Sequence, residues 1–347
     1  MHTIIHGGDI YQNQVEVDFS VNINPLGIPD GVRKALHQAV EHCHCYPDIH
    51  AEALISGLSQ QHNLSKEYIV CGNGASELLL AIMHAMKPGK ILLPTPSFYG
   101  YEKAAKASWA EIFYYEMKEA DGWALTEAFL EQLTADIDMI ILANPNNPVG
   151  NVIDKALLTT ICEKCRDLQI TVVIDECFIE FTEASDFKQE HSLEAFPNVI
   201  LLRAFTKIYA IPGVRLGYLL CGKQDTCSRI RAQLPEWNLS IFAQMAGVAA
   251  LEEQEYVIRT REVVKTEREY LRSEMQRMGI TVYNSAANFL LLRCDIPLYE
   301  MLLAEQILIR DCSNYRGLAK GYYRIAVKSH MENEHFIQKA GAIIGAD

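Results

Sequence analysis

The chain has 347 residues, 49% of them hydrophobic, enough for a large core and for two domains. A formal net charge of −13 without long basic runs argues against nucleic acid or an anionic membrane surface as a partner. No apolar run approaches the ~18 residues of a membrane span. The start, MHTIIHGGDI, lacks the features of a secretory signal, and ten scattered cysteines read as reduced thiols, so a cytoplasmic location is expected.

The first thirty residues are rich in Gly, Asn and Pro and read as an arm over a site. Strands are expected at 68–71, 90–94, 111–115, 138–143, 171–175, 198–203 and 215–221, with helices at 76–86, 97–107 and 154–168 between them. Such alternation, with nearly continuous apolar strands, predicts an α/β unit: a mainly parallel sheet with helices on both faces. From about Ser240 the pattern changes. A long charged helix is expected over 252–278, then strands at 281–283, 288–293, 307–310 and 322–327, with helices at 297–306 and 331–344. This reads as a smaller α+β domain. The division is an arm at 1–28, a large domain at 29–240 and a small one at 241–347.

Ligands of open α/β sheets lie beyond the carboxyl ends of the strands. Three motifs fall there: the polar turn Asn144-Pro145-Asn146-Asn147-Pro148-Val149-Gly150, the strand end Asp175-Glu176, and Thr206-Lys207. Lys207 sits among Phe205, Ile208, Tyr209 and Ile211, where desolvation disfavours the ammonium and leaves an amine able to condense with an aldehyde. Lysine, carboxylate and polar turn are the parts that hold pyridoxal phosphate (PLP). Gly72-Asn73-Gly74-Ala75-Ser76 follows a strand and opens a helix, which suits a phosphate and equally suits a tight turn. Arg215 would clamp that phosphate.

Arg310 and Arg324, fourteen residues apart at apolar strand-like ends, read as anion forks rather than as idle charges. His6-Gly7-Gly8 could lay amides and an imidazole against an anion, and Asn22 and Asn24 are loop caps or substrate donors. His42-Cys43-His44-Cys45 and Cys162-Glu163-Lys164-Cys165 lack a second pair at zinc-finger spacing. Cys162 and Cys165 also match a buried helical stripe, and no metal is expected.

Together these residues resemble the fold-type-I PLP enzymes of the aspartate aminotransferase superfamily. Within it, His6-Gly7-Gly8, the segment 18–27, residues 206–213 and Ile309-Arg310-Asp311-Cys312-Ser313-Asn314-Tyr315 resemble the threonine-phosphate decarboxylases of cobalamin biosynthesis. That resemblance implies Lys207 as the Schiff-base lysine, Asp175 at the ring nitrogen, Asn147 at the ring oxygen and Phe98 stacked on the ring. It implies Ala75, Ser76, Thr206 and Arg215 at the cofactor phosphate. His6, Gly7, Asn22, Asn147, Arg310 and Arg324 become substrate contacts, for a small phosphorylated amino acid. Tyr46 becomes a residue reaching the cofactor of a second subunit, which implies a homodimer. Phe178 stands where many aminotransferases have a tyrosine donating to the ring oxygen; the decarboxylases tend to share the phenylalanine. The competing expectations are a histidinol-phosphate aminotransferase and a PLP-binding protein without turnover.

Overall fold

The computed structural model describes residues 7–345. Its arm carries β1 (Val17–Asp18). The large sheet then collects β2 (Ile69–Gly72), β3 (Lys90–Thr95), β4 (Glu111–Glu116), β5 (Met139–Ala143), β6 (Thr171–Asp175), β7 (Val199–Ala204) and β8 (Gly217–Cys221). The order across this seven-stranded sheet is β2-β8-β7-β6-β5-β3-β4. All neighbours run parallel except β8, which is antiparallel to both β2 and β7. Strands β5 and β7 are buried along their whole length, as strands covered on both faces should be. Alternate residues serve two cores. Ile140, Leu142, Val172 and Ile174 point to one, and Met139, Ile141 and Val173 to the other.

The second unit holds β9 (Thr281–Val282), β10 (Phe289–Arg293), β11 (Ile307–Leu308), β12 (Arg310–Asp311) and β13 (Tyr322–Ala326). Four of these form an antiparallel sheet in the order β12-β13-β10-β9. The single strand expected over 307–310 is thus two. Ile307 and Leu308 pair with β1 of the arm, and the chain then switches so that Arg310 pairs with Arg324. The arm is tied to this unit by that ladder and by Phe19 packing on Phe336, ring centroids 4.9 Å apart.

Helices Asp30–Glu41, Glu52–His62, Gln224–Arg231 and Ile241–Leu251 have no counterpart in the sequence expectations. The last, IFAQMAGVAAL, is apolar nearly all round and so carries little helical periodicity. It packs through small residues: a Cβ on Gly247 would stand 2.8 Å from Leu54 Cδ1. Cys162 and Cys165 lie in the large core, fully buried. Among the described residues no helix is long and apolar enough to cross a membrane.

Behind the strand ends lies a buried ion network. Arg203 donates to Glu176 Oε2 through Nε at 3.0 Å and Nη2 at 2.8 Å, and also meets Asp186 at 2.9 Å. It joins the residue after Asp175 to the strand that leads into Lys207. Glu176→Gln should cost about 3 kcal/mol, the low end for breaking a buried pair, because Asp186 remains. A urea unfolding series checks this; a loss of under about 0.5 kcal/mol would place the pair with solvent-exposed bridges. Nearby, burial and the Arg203 charge push His62 down from 6.5 to about 3, and it faces Tyr218 Oη at 3.0 Å. Its folded value is depressed, so the unfolded chain binds the proton first. His62 therefore contributes stability above pH 6.5 that is lost as pH falls toward about 3. In His62→Gln the urea midpoint should fall less steeply with acid than in wild type; equal slopes would contradict this.

Candidate active site

β7 and β8 are adjacent and antiparallel, yet residues 205–216 separate them. This excess chain forms one helical turn, Phe205–Ile208, at the carboxyl end of β7 and places Lys207 in the floor of a cavity of about 240 Å³. Burial, and next the nearby Arg324 charge, push the Lys207 amine down from 10.5 to about 8. A far larger share of it is neutral near pH 7–8 than for a surface lysine. Asn24 fastens the turn from outside: its backbone N–H donates to Lys207 O at 3.2 Å and its Nδ2 to Ile208 O at 2.6 Å. Nδ2 also donates to Thr260 Oγ1 at 2.8 Å, so Asn24 is a structural clasp rather than a substrate donor.

Asp175 ends β6 against the same cavity. Each of its oxygens already accepts one bond: Oδ1 from Cys177 N–H at 3.0 Å, Oδ2 from Tyr101 Oη at 2.7 Å. Tyr101 is 1% exposed, and burial with the Asp175 charge raises its phenol well above 10, so it stays a donor. Phe98 borders the cavity and meets the Tyr101 ring edge-on at 5.6 Å. Tyr101 thus orients both the carboxylate and the aromatic plate, a role the sequence reading missed; the signal was a tyrosine three residues past Phe98 on a helix start. Tyr101→Phe keeps the ring and removes the donor. It should lower kcat roughly 10- to 100-fold, as loss of one hydrogen bond to a charged group would, with little change in KM. An unchanged kcat would reduce Tyr101 to packing.

At the cavity's other end, Gly74 caps the helix Ala75–Met86 at φ +82°, and no side-chain hydrogen bond caps its N-terminus. A Cβ on Gly74 would lie 2.6 Å from Arg215 Nη2, so glycine is what lets the guanidinium lie across the helix start. Arg215 is exposed and in the left-handed region, φ +59°, ahead of β8 rather than within it. Ala75, Ser76, Thr206 and Arg215 all line this end.

The opposite wall is cationic. Arg310 and Arg324 are 5% and 6% exposed and stand directly opposite each other on the β12–β13 ladder. Arg324 donates through Nη1 to Asn147 Oδ1 at 2.5 Å and through Nη2 to Ser20 O at 2.8 Å, while its Nε has no acceptor. Arg310 donates to Asp311 O at 2.5 Å and Asn314 Oδ1 at 2.8 Å. The other asparagines of the turn hold its shape: Asn144 Oδ1 accepts from Ile153 N–H and Asn146 Oδ1 from Val149 N–H. Gly7 and Asn22 of the arm close the cavity, and Asn22 Oδ1 is buried without a partner. A Cβ on Gly7 would meet Ser20 O at 2.4 Å.

The family model for aminotransferases of class I and II matches residues 14–339. The chain belongs to the class I and II aminotransferase family. Threonine-phosphate decarboxylase of Salmonella typhimurium is similar, 37% identical over 96% of this chain and 94% of that protein. The crystal structure of histidinol-phosphate aminotransferase from Clostridium acetobutylicum superposes with a TM-score of 0.89 at 31% identity, covering 95% of this chain and all of that one. That of L-threonine-O-3-phosphate decarboxylase from Porphyromonas gingivalis gives 0.83 at 25% identity, covering 95% and 99%.

The cofactor of this aminotransferase-family enzyme is pyridoxal phosphate. The cavity suits it on its own chemistry: an amine at about 8 for the aldehyde, a carboxylate, and a helix start without a side-chain cap under an arginine. Of the residues that the family resemblance assigns to the site, all but His6 and Tyr46 line this one cavity. His6 lies outside the described residues. Tyr46 lies away from the cavity, 80% exposed, with its ring 5.0 Å from Trp237. Cys177 and Tyr315 join the lining and were not singled out from sequence as single site residues.

Proposed function

We propose that the enzyme decarboxylates L-threonine O-3-phosphate to (R)-1-amino-2-propanol O-phosphate, a reaction of cobalamin biosynthesis. The observation that carries this reading is the Arg310–Arg324 pair, two buried cations facing each other beside Lys207. A phosphorylated amino acid brings two anions to meet them; histidinol phosphate brings one. The threonine-phosphate decarboxylase relative supports it.

In this reading Lys207 carries the cofactor and afterwards returns a proton to Cα from Nζ. Asp175 would hold the proton of the ring nitrogen, Asn147 would donate to the ring oxygen, and Phe98 would cover the ring. Ala75, Ser76, Thr206 and Arg215 hold the phosphate. When bound, the cofactor supplies an electron sink for the pair released as the Cα–carboxylate bond breaks. What the chain adds is orientation. His6, Gly7, Asn22, Asn147, Arg310 and Arg324 would hold phosphate and carboxylate and so select the bond from Cα to the carboxylate, not Cα–H, for cleavage. Phe178 offers no hydroxyl, leaving the ring oxygen to Asn147.

The working form is proposed to be a cytoplasmic homodimer with Tyr46 reaching the second subunit's cofactor. Its parts are an arm at 1–28, a large domain at 29–240 and a small one at 241–347. The close superposition on a histidinol-phosphate aminotransferase favours amino transfer as the second reading; that reaction would use the same arginines for its keto-acid acceptor. Kinetics with O-phosphothreonine alone, and with histidinol phosphate plus 2-oxoglutarate, decide. Efficient turnover of the second pair without the first would replace decarboxylation by amino transfer.

A further inference from the structure

Arg324 is held by more than hydrogen bonds. Its guanidinium carbon lies 5.5 Å from the centroid of the Phe289 ring. Phe289 is fully buried, on β10, and its neighbour Leu291 is the register partner of Arg324, so the two residues are diagonal neighbours across the ladder. Phe178, three residues past Asp175, meets the Phe289 ring edge-on, centroids 5.1 Å apart and planes at 79°. A continuous line of contact therefore runs from the turn after Asp175, through Phe178 and Phe289, to the guanidinium. It crosses from the large sheet to the small one.

Two bonds from the Nη atoms fix where the guanidinium is; they leave its plane free to rock about the line joining them. An aromatic ring at one side removes that freedom, because a cation is drawn to the ring face. The guanidinium Nε–H, buried and without a protein acceptor, adds no third hydrogen bond to fix that plane. A carboxylate gripped by a guanidinium takes its orientation from that plane.

We propose that Phe178 and Phe289 are positioning residues that act through Arg324. Together they form an aromatic strut that sets the plane of its guanidinium, and so the orientation of the substrate carboxylate. Resting on the decarboxylase reading, this makes the pair specificity-determining between loss of CO2 from Cα and transfer of the amino group to a keto acid. It gives phenylalanine at position 178 a constructive role besides the missing hydroxyl.

The test uses the holoenzyme and 3-phosphonopropionate, which carries a carboxylate and a phosphonate but no amine. Its affinity is measured calorimetrically in Phe178→Leu and Phe289→Leu, each made in wild type and in Arg324→Gln. Phe289→Leu should weaken binding roughly 3- to 30-fold in wild type, the span of a cation–π contact, and Phe178→Leu roughly 2- to 10-fold, the span of an aromatic pair; both should weaken it less than about 2-fold in Arg324→Gln, where no cation faces the ring. Equal weakening in both backgrounds, or none in wild type, overturns the strut. Phe178 is only half-buried, so its variant folds where a core deletion at Phe289 fails. A second arm supplies carboxyl-labelled O-phosphothreonine with 2-oxoglutarate and compares CO2 released with glutamate formed. That ratio should fall at least ~3-fold in each single variant, as a misplaced carboxylate requires; an unchanged ratio removes the specificity role. If wild type releases no CO2, the decarboxylase reading fails, while the affinity arm still decides the strut.

Discussion

Lys207→Ala is expected to lower kcat by roughly 10²- to 10⁴-fold, the usual worth of a positioned proton-transfer group. The argument starts from the amine. Burial holds it at about 8, so it is a ready nucleophile toward an aldehyde and a ready proton carrier, two tasks an ordinary surface lysine performs poorly at neutral pH. The side chain is not a structural prop: the turn carrying it is held by the Asn24 backbone and amide and by the β7–β8 connection, none of which the substitution touches. The variant should therefore fold normally. Borohydride treatment of wild type should fix one cofactor onto Lys207, read by mass spectrometry of the digested protein, and the variant should yield no such adduct. An adduct on another lysine in wild type would sink the assignment of the site.

Arg324→Ala and Arg310→Ala should each lower kcat/KM for O-phosphothreonine by at least ~100-fold, about 2.7 kcal/mol. That sits within the roughly 2–5 kcal/mol lost when one member of a buried charge pair is removed. Their placement gives the reason. Directly opposed on an antiparallel ladder, like charges repel one another. Their protein partners are mostly neutral carbonyls and amides. Two buried cations held this way are relieved by anions, so substrate binding recovers what folding gave up. Cofactor absorbance should persist in both variants, since Arg215 rather than either of these lies across the helix start. Loss of cofactor in Arg324→Ala would mean that the two ends of the cavity have been exchanged. Near-normal kinetics in both would return the arginines to a structural role.

Most of this cavity was legible because the large sheet is. Strands covered on both faces are continuous apolar runs, and their carboxyl ends put Asn147, Asp175 and Lys207 at one edge. Motif spacing carried the cofactor chemistry. Three things were hidden for physical reasons. The reversal of β8 leaves no mark on an apolar strand, whose composition is the same in either direction. The helix Ile241–Leu251 has too few polar residues to show a period. The pairing of Arg310 with Arg324 depends on register between distant strands, and the switch at Ile309 that sets it involves the arm. Tyr101 escaped because a buried tyrosine looks like core until its partner, Asp175, is placed beside its hydroxyl.

The decisive measurement is release of labelled CO2 from carboxyl-labelled O-phosphothreonine by the purified holoenzyme, with no keto acid present. Sustained, stoichiometric release over many turnovers, with a phosphorylated amino alcohol as the other product, is the predicted result. Retention of the label with turnover only when 2-oxoglutarate is added would contradict it.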